Sequence, residues 1–160
     1  MLDQLERIYR EHRQGLFSLA LAITRRADCA EDAVHDAFAR LFRSEIQPQR
    51  DVVSYVFAAV RNAAVDQLRR RVDRVHSPQS LFDAAGSDPV AEAIESERRA
   101  LVRQAVEDLS DEQRETVVMR MYSGLKFQQI ADVLGEPLPT ITSRYRRALQ
   151  RIKTAIEASV

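Results

Sequence analysis

The sequence predicts an all-α protein made of two small helical domains joined by a flexible linker, the C-terminal one containing a helix-turn-helix. Three observations carry that expectation. Turn formers are scarce, with 4 Gly and 5 Pro in 160 residues, while the strong helix formers Ala, Leu, Arg and Glu abound. Apolar residues recur every three or four positions along most of the chain, as in helices that bury one face. That period lapses over residues 73–88, DRVHSPQSLFDAAGSD, where Ser, Pro, Gly and Asp cluster. The expected units are residues 1–72, a linker over 73–88, and residues 89–160.

The first helix covers 2–25, with Leu2, Leu5, Ile8, Leu16, Leu19 and Ile23 on its apolar side. Gly15 weakens it at the middle, since glycine is a poor helix former. Asp28, with Glu31 three residues on, reads as a capping box that opens a second helix reaching Arg43. Val34, Ala37, Phe38, Leu41 and Phe42 form its apolar stripe, and Asp32, His35, Asp36 and Arg43 lie off it. Residues 44–51, SEIQPQRD, form a polar loop around Pro48.

A third helix runs to Arg71. Val53, Phe57, Val60, Ala64 and Leu68 fall on one side of it, and Tyr55, Asn62, Asp66 and Arg69 gather on the other. A ring, an amide and a guanidinium on one solvated face suit a nucleic-acid surface. A plain polar face with one snorkelling Tyr produces the same pattern. The break that follows is longer than ordinary loops, acidic at Asp83 and Asp88, with Leu81 and Phe82 as its large apolar pair.

The second block opens with Asp88 as cap and Pro89 at the first helical position. Ile94, Leu101, Ala105 and Leu109 continue its stripe. Ser110 and Gln113 form another capping box, opening a helix through Val117, Val118 and Met121 that Gly124 ends. Ile130, Ala131 and Leu134 then give a short helix stopped by Gly135, and residues 136–139 make a tight connection. Thr140 caps a last helix whose apolar side is Ile141, Tyr145, Ala148, Leu149 and Ile152. Ser143, Arg146, Arg147 and Gln150 point the opposite way. Two helices around a short Gly-containing turn, with a basic outer face on the second, match helix-turn-helix geometry. Helical bundles with solvated basic faces share this pattern, so periodicity leaves both readings open.

Charge sharpens the choice of partner. The formal net charge is zero, from 24 basic and 24 acidic residues, but it is unevenly spread. Residues 83–97 carry five acids and no base, whereas Arg144, Arg146, Arg147, Arg151 and Lys153 meet no acid over 140–153. Arg69, Arg70, Arg71 and Arg74 make a second basic patch against Asp73 alone. A neutral chain with two such patches binds DNA weakly by itself, because phosphate neutralisation supplies most non-specific affinity.

Other classes find no support. No stretch nears the roughly 18 apolar residues of a membrane helix, so no membrane insertion is expected. The charged start, MLDQLERIYREHRQ, lacks the apolar core of a signal peptide, and a cytoplasmic protein is expected. One cysteine, Cys29, forms no internal disulfide. His12, His35 and His76 are scattered and give no metal-ligand spacing with it. With no Gly-rich phosphate loop and no nucleophile–base pair, the chain reads as a non-enzyme without metal or cofactor.

The order of residues adds a resemblance. Ile130-Ala131-Asp132-Val133-Leu134-Gly135, Pro137-Leu138, Thr140-Ile141-Thr142-Ser143-Arg144 and Arg146-Arg147-Ala148 resemble region 4.2 of the extracytoplasmic-function sigma factors, small members of the sigma-70 family. Leu109-Ser110 and Gln113-Arg114-Glu115 resemble the opening of that domain, apart from a missing proline. Ala30-Glu31-Asp32-Ala33-Val34-His35-Asp36-Ala37-Phe38 and the run Ala58, Arg61-Asn62, Ala64, Asp66, Arg69-Arg70-Arg71 resemble region 2. Both halves match in order, together over about 8–156. The departures are His35 for Gln, Tyr55 for Trp, Lys126 for Ser, Pro139 for Gly and Thr142 for a basic residue.

The resemblance implies an initiation factor whose partners are core RNA polymerase and promoter DNA. Many relatives are held by an anti-sigma factor, a third partner to consider. By family position, Asp32, His35 and Asp36 bind polymerase. Tyr55, Arg61, Asn62, Asp66 and Arg69 take the −10 element. Thr142, Ser143, Arg144, Arg146, Arg147 and Arg151 take the −35 element. The acidic linker would thread into the polymerase or merely tether the domains. A stand-alone dimeric helix-turn-helix regulator leaves the N-terminal block unexplained; a pure protein-interaction module and a nucleic-acid-processing enzyme are the remaining alternatives.

Overall fold

A helix of glycine-poor, Leu- and Ala-rich sequence is stable only when its apolar side is covered, and two groups of helices, three in the first half and four in the second, do the covering here. The computed structural model describes residues 2–45, 48, 51–71 and 91–159. The expected linker, the Asp88–Pro89 cap and half of the loop over 44–51 lie outside the described residues. Among the described residues the regular structure is entirely helical.

In the N-terminal half, α1 (Leu2–Thr24), α2 (Ala27–Arg43) and α3 (Val52–Arg70) pack against one another. Leu16, Leu19, Phe57 and Val60 are sealed at their centre. Burying a side chain of that size contributes about 1.5–3 kcal/mol. Tyr9 meets Phe38 edge-on at 5.0 Å between ring centroids, and His12 meets Phe57 at 5.8 Å. Asp51 caps α3, its carboxylate accepting from the Ser54 hydroxyl at 2.9 Å.

In the C-terminal half, α4 (Ala91–Glu107) and α5 (Asp111–Val117) both pack on α7 (Leu138–Ala158), as does α6 (Phe127–Leu134). Ser110 caps α5 as expected, accepting the Gln113 N–H. The Gln113 side chain instead accepts from Arg151 at 2.8 Å, so only half of the expected capping box forms. The end of α5 widens into a π-helical turn, Val118–Tyr122. Gly124 and Gly135 follow the two helix ends with left-handed φ of 70° and 65°, where a Cβ would strain the backbone.

Several expectations are corrected. The second helix begins at Ala27, with Arg26 in the capping position and no side-chain cap. The chain turns at Arg25, which takes φ 61°, and this places Asp28 inside the first turn, paired with Arg26 at 3.1 Å. The last helix begins at Leu138 after Pro137, because proline fixes φ where a helix starts. Thr140 is therefore helical, not the cap. Leu2, Phe42, Leu68, Met121 and Leu149, all read as core, are between 37% and 61% exposed. Each lies at a helix end or on the outer edge of a stripe wider than the face that is covered.

The apolar core does not stop at the boundary between the halves. α1 packs on the π-helical turn and on α5, and α3 packs on α6. One cluster of buried side chains runs from Leu5 to Ile152.

Candidate nucleic-acid interface

The geometry begins at the turn between α6 and α7. The Lys126 N–H donates to the Gln129 side chain at 2.9 Å, which fixes the start of α6. Beyond Gly135, the Glu136 N–H donates to the Ala131 carbonyl at 3.1 Å. Ile130, Ala131, Ile141 and Ala148 pack this pair of helices into the core. Phe127 meets Tyr145 at 5.2 Å, and the Arg120 guanidinium lies over Phe127 at 4.5 Å. A recognition helix held on its inner side by apolar packing presents a fixed outer face.

That outer face carries Thr142, Arg146 and Arg147, all exposed, with Ser143 half-buried beside them. Arg147 folds back along the helix, donating to the Ser143 hydroxyl at 3.2 Å. Thr142 donates its hydroxyl to the Pro139 carbonyl at 3.1 Å. Arg144 is different. Its side chain is only 13% exposed, and it donates to Glu136 and lies 3.8 Å from Glu112. Arg151 is exposed and donates to Gln113.

Behind the face, Arg114 ties the domain together, donating to the Glu107 and Leu109 carbonyls at 2.6 and 2.7 Å and to Asp111 at 2.9 Å. A buried guanidinium with carbonyl and carboxylate partners is costly to truncate. The sequence pattern gave no sign of this role, since two of its three partners are backbone carbonyls.

The α3 surface is less uniform. Asn62 and Arg69 are exposed, whereas Tyr55 packs partly against the core. Asp66 lies 3.9 Å from Arg40. Arg61 donates to Glu115 of the other half, Nε to Oε1 at 3.0 Å and Nη2 to Oε2 at 3.4 Å. Burial pushes the Glu115 carboxyl above its ordinary range, and the positive charge of Arg61 pulls against that. Nothing in local spacing reveals this pair, which is separated by 54 residues.

On α2, Asp32, His35 and Asp36 are all exposed. His35 borders a groove shared with Tyr9, Arg13, Gln14, Phe17 and Glu31. Asp36 accepts weakly from Gln67 at 3.5 Å. Cys29 is buried, and burial raises its thiol pKa. Among the described residues no three metal-ligating side chains are grouped together. No helix among them is long and apolar enough to cross a membrane.

Known proteins share this arrangement. Residues 8–74 match the family model Sigma-70 region 2, and residues 99–152 match Sigma-70, region 4. The ECF RNA polymerase sigma factor RpoE of Cereibacter sphaeroides is 31% identical over 132 residues, covering 79% of this chain and 72% of that protein. The ECF RNA polymerase sigma factor SigK of a Mycobacterium species (strain KMS) is 25% identical over 167 residues, covering 99% and 86%. The sigma factor RpoE of Bartonella quintana, solved with the anti-sigma factor NepR, superposes with a TM-score of 0.71 at 22% identity, over 97% of this chain and 95% of that one. CnrH, solved with the cytosolic domain of CnrY, superposes with a TM-score of 0.70 at 19% identity, over 100% and 92%.

Proposed function

The chain belongs to the extracytoplasmic-function sigma factors of the sigma-70 family, and on that premise we propose how its residues divide the work. It binds core RNA polymerase and directs promoter recognition and transcription initiation. The polymerase supplies the chemistry, and this chain supplies contacts only. It acts where core polymerase is, in the cytoplasm. Residues 1–72 form the unit for polymerase and the −10 element, residues 73–88 tether, and residues 89–160 form the unit for the −35 element. An anti-sigma factor is a further partner of the kind that one similar structure contains.

The observation that carries the −35 assignment is the outer face of α7, where Arg146 and Arg147 stand exposed on a helix locked from behind. We assign Thr142, Ser143, Arg146 and Arg147 to the major groove. Arginine there holds guanine edges in pairs, worth about 1–3 kcal/mol of discrimination, while a phosphate contact weakens all sequences alike. Arg151, at the flank, suits a phosphate. Arg144 supports the reading helix from within. Thr142 carries no charge, so the salt slope of binding is shallower by about one unit than with a basic residue there.

On α3, Asn62 and Arg69 offer an exposed amide and cation, with Tyr55, Arg61 and Asp66 beside them. A displaced base must stack and hydrogen-bond to offset its unstacking, and this set supplies both. On α2, Asp32, His35 and Asp36 form the polymerase-facing surface.

The test is transcription by reconstituted holoenzyme from a library of −35 variants. Arg147→Ala should relax preference at one position, while Arg151→Ala lowers every variant equally. If Arg147→Ala also scales all variants by one factor, Arg147 is a phosphate clamp and the reading face is misassigned.

A further inference from the structure

Arg120 lies in the π-helical turn that precedes the helix-turn-helix, with its side chain half-buried. An arginine beside such a motif commonly serves a phosphate. This one is engaged within the protein. Its Nη1 donates to the Leu125 carbonyl at 3.0 Å, and its guanidinium lies over the Phe127 ring, 4.5 Å from the centroid. The Leu125 N–H donates to the Met119 carbonyl at 3.0 Å, and Leu125 is sealed in the core. The entry into α6 is thus tied through its backbone and through Phe127, the first residue of that helix. The Phe127 ring in turn meets Tyr145 of α7 at 5.2 Å, the ring planes inclined at 66°. Tyr145 stands between Arg144 and Arg146 on the reading helix.

α6 has only eight residues, too few for a helix to hold by itself, so its direction depends on what grips its ends. A flat guanidinium can stack on a ring and still donate within its own plane, which a lysine ammonium cannot do. We propose that Arg120 is a positioning residue for promoter reading: it fixes Phe127, and through Phe127 and Tyr145 the orientation of α7, without touching DNA. The proposal rests on the assignment of the outer face of α7 to the −35 element. Base edges are read by paired hydrogen bonds of fixed geometry, whereas a phosphate accepts a cation from many directions. A loosened α7 therefore loses discrimination before it loses affinity.

The experiment uses reconstituted holoenzyme containing the full chain. Binding is measured over a salt series to two DNA fragments, one with the −35 sequence that the unaltered chain prefers and one with that sequence scrambled. Circular dichroism checks that each variant keeps its helix content. Arg120→Gln should reduce the preference between the fragments by about three- to tenfold, the range of a half-exposed cation–ring contact. Affinity for the scrambled fragment and the salt slope should not change. Phe127→Leu should act alike, Phe127→Tyr, which keeps the ring, should match the unaltered chain, and Arg120→Gln with Phe127→Leu should add little to either alone. Arg120→Lys should resemble Arg120→Gln, since lysine can replace a phosphate clamp but not a stacked fork. Equal loss on both fragments with a salt slope shallower by about one unit, rescued by lysine, would make Arg120 a phosphate contact and overturn the proposal. Arg147→Ala is measured beside them. If it relaxes preference and Arg120→Gln does not, positioning is wrong and the reading of α7 stands. If neither relaxes it, the reading of α7 falls and the proposal with it.

Discussion

Arg144 and Arg147 lie three residues apart on one helix and have opposite surroundings. Arg144 is wedged between Glu136 and Glu112, while Arg147 stays exposed and reaches only its own helix. In sequence both belong to one basic run, and only the fold separates a strut from a reader. A double-mutant cycle tests the strut. Arg144→Ala and Glu136→Gln should each weaken −35 binding, and their effects should overlap by about 0.5–3 kcal/mol, as for paired groups. The salt slope should stay unchanged in both, whereas Arg151→Ala lowers it by about one unit. A slope change in Arg144→Ala alone would return Arg144 to the phosphates. The same limit explains Phe42, Leu68, Met121 and Leu149. Their period is that of the core, but period fixes a direction and not how far the neighbouring helix extends.

At the scale of elements, the helices were legible because each stripe has a single dominant period. Their ends were less so. The α2 start moved because Arg25 takes a left-handed turn that no local pattern announces, and the α7 start moved because Pro137 sets the helix before Thr140. The π-helical turn after α5 was invisible, since Val118–Tyr122 fits an ordinary helix equally well. The polar side of α2 was legible, and it carries a prediction. Asp32 and Asp36 are exposed beside buried Ala33, Val34 and Ala37. Replacing both by Arg should shift stability by no more than about 0.5 kcal/mol, as is usual at such surfaces. Affinity for core polymerase, measured by fluorescence anisotropy of the labelled chain, should fall at least tenfold, about 1.4 kcal/mol. Unchanged affinity in a folded double variant would remove α2 from the polymerase interface.

At the scale of the molecule, the order of two matched halves was readable along the chain and their contact was not. Gly15 and Ser123 are 108 residues apart and Asp51 and Gln129 are 78 apart, so neither pair leaves a periodic trace. Gly15 read as a weakness of α1, yet it is the point where the second half sits down. Promoter-directed initiation is what the whole molecule delivers, and genome-wide transcription in vitro measures it most directly. Core polymerase is incubated with fragmented genomic DNA with and without this chain, and the RNA 5′ ends are mapped. With the chain present, the ends should concentrate at a small set of sites that share two upstream motifs at fixed spacing. A pattern of ends identical to that of core polymerase alone would contradict it.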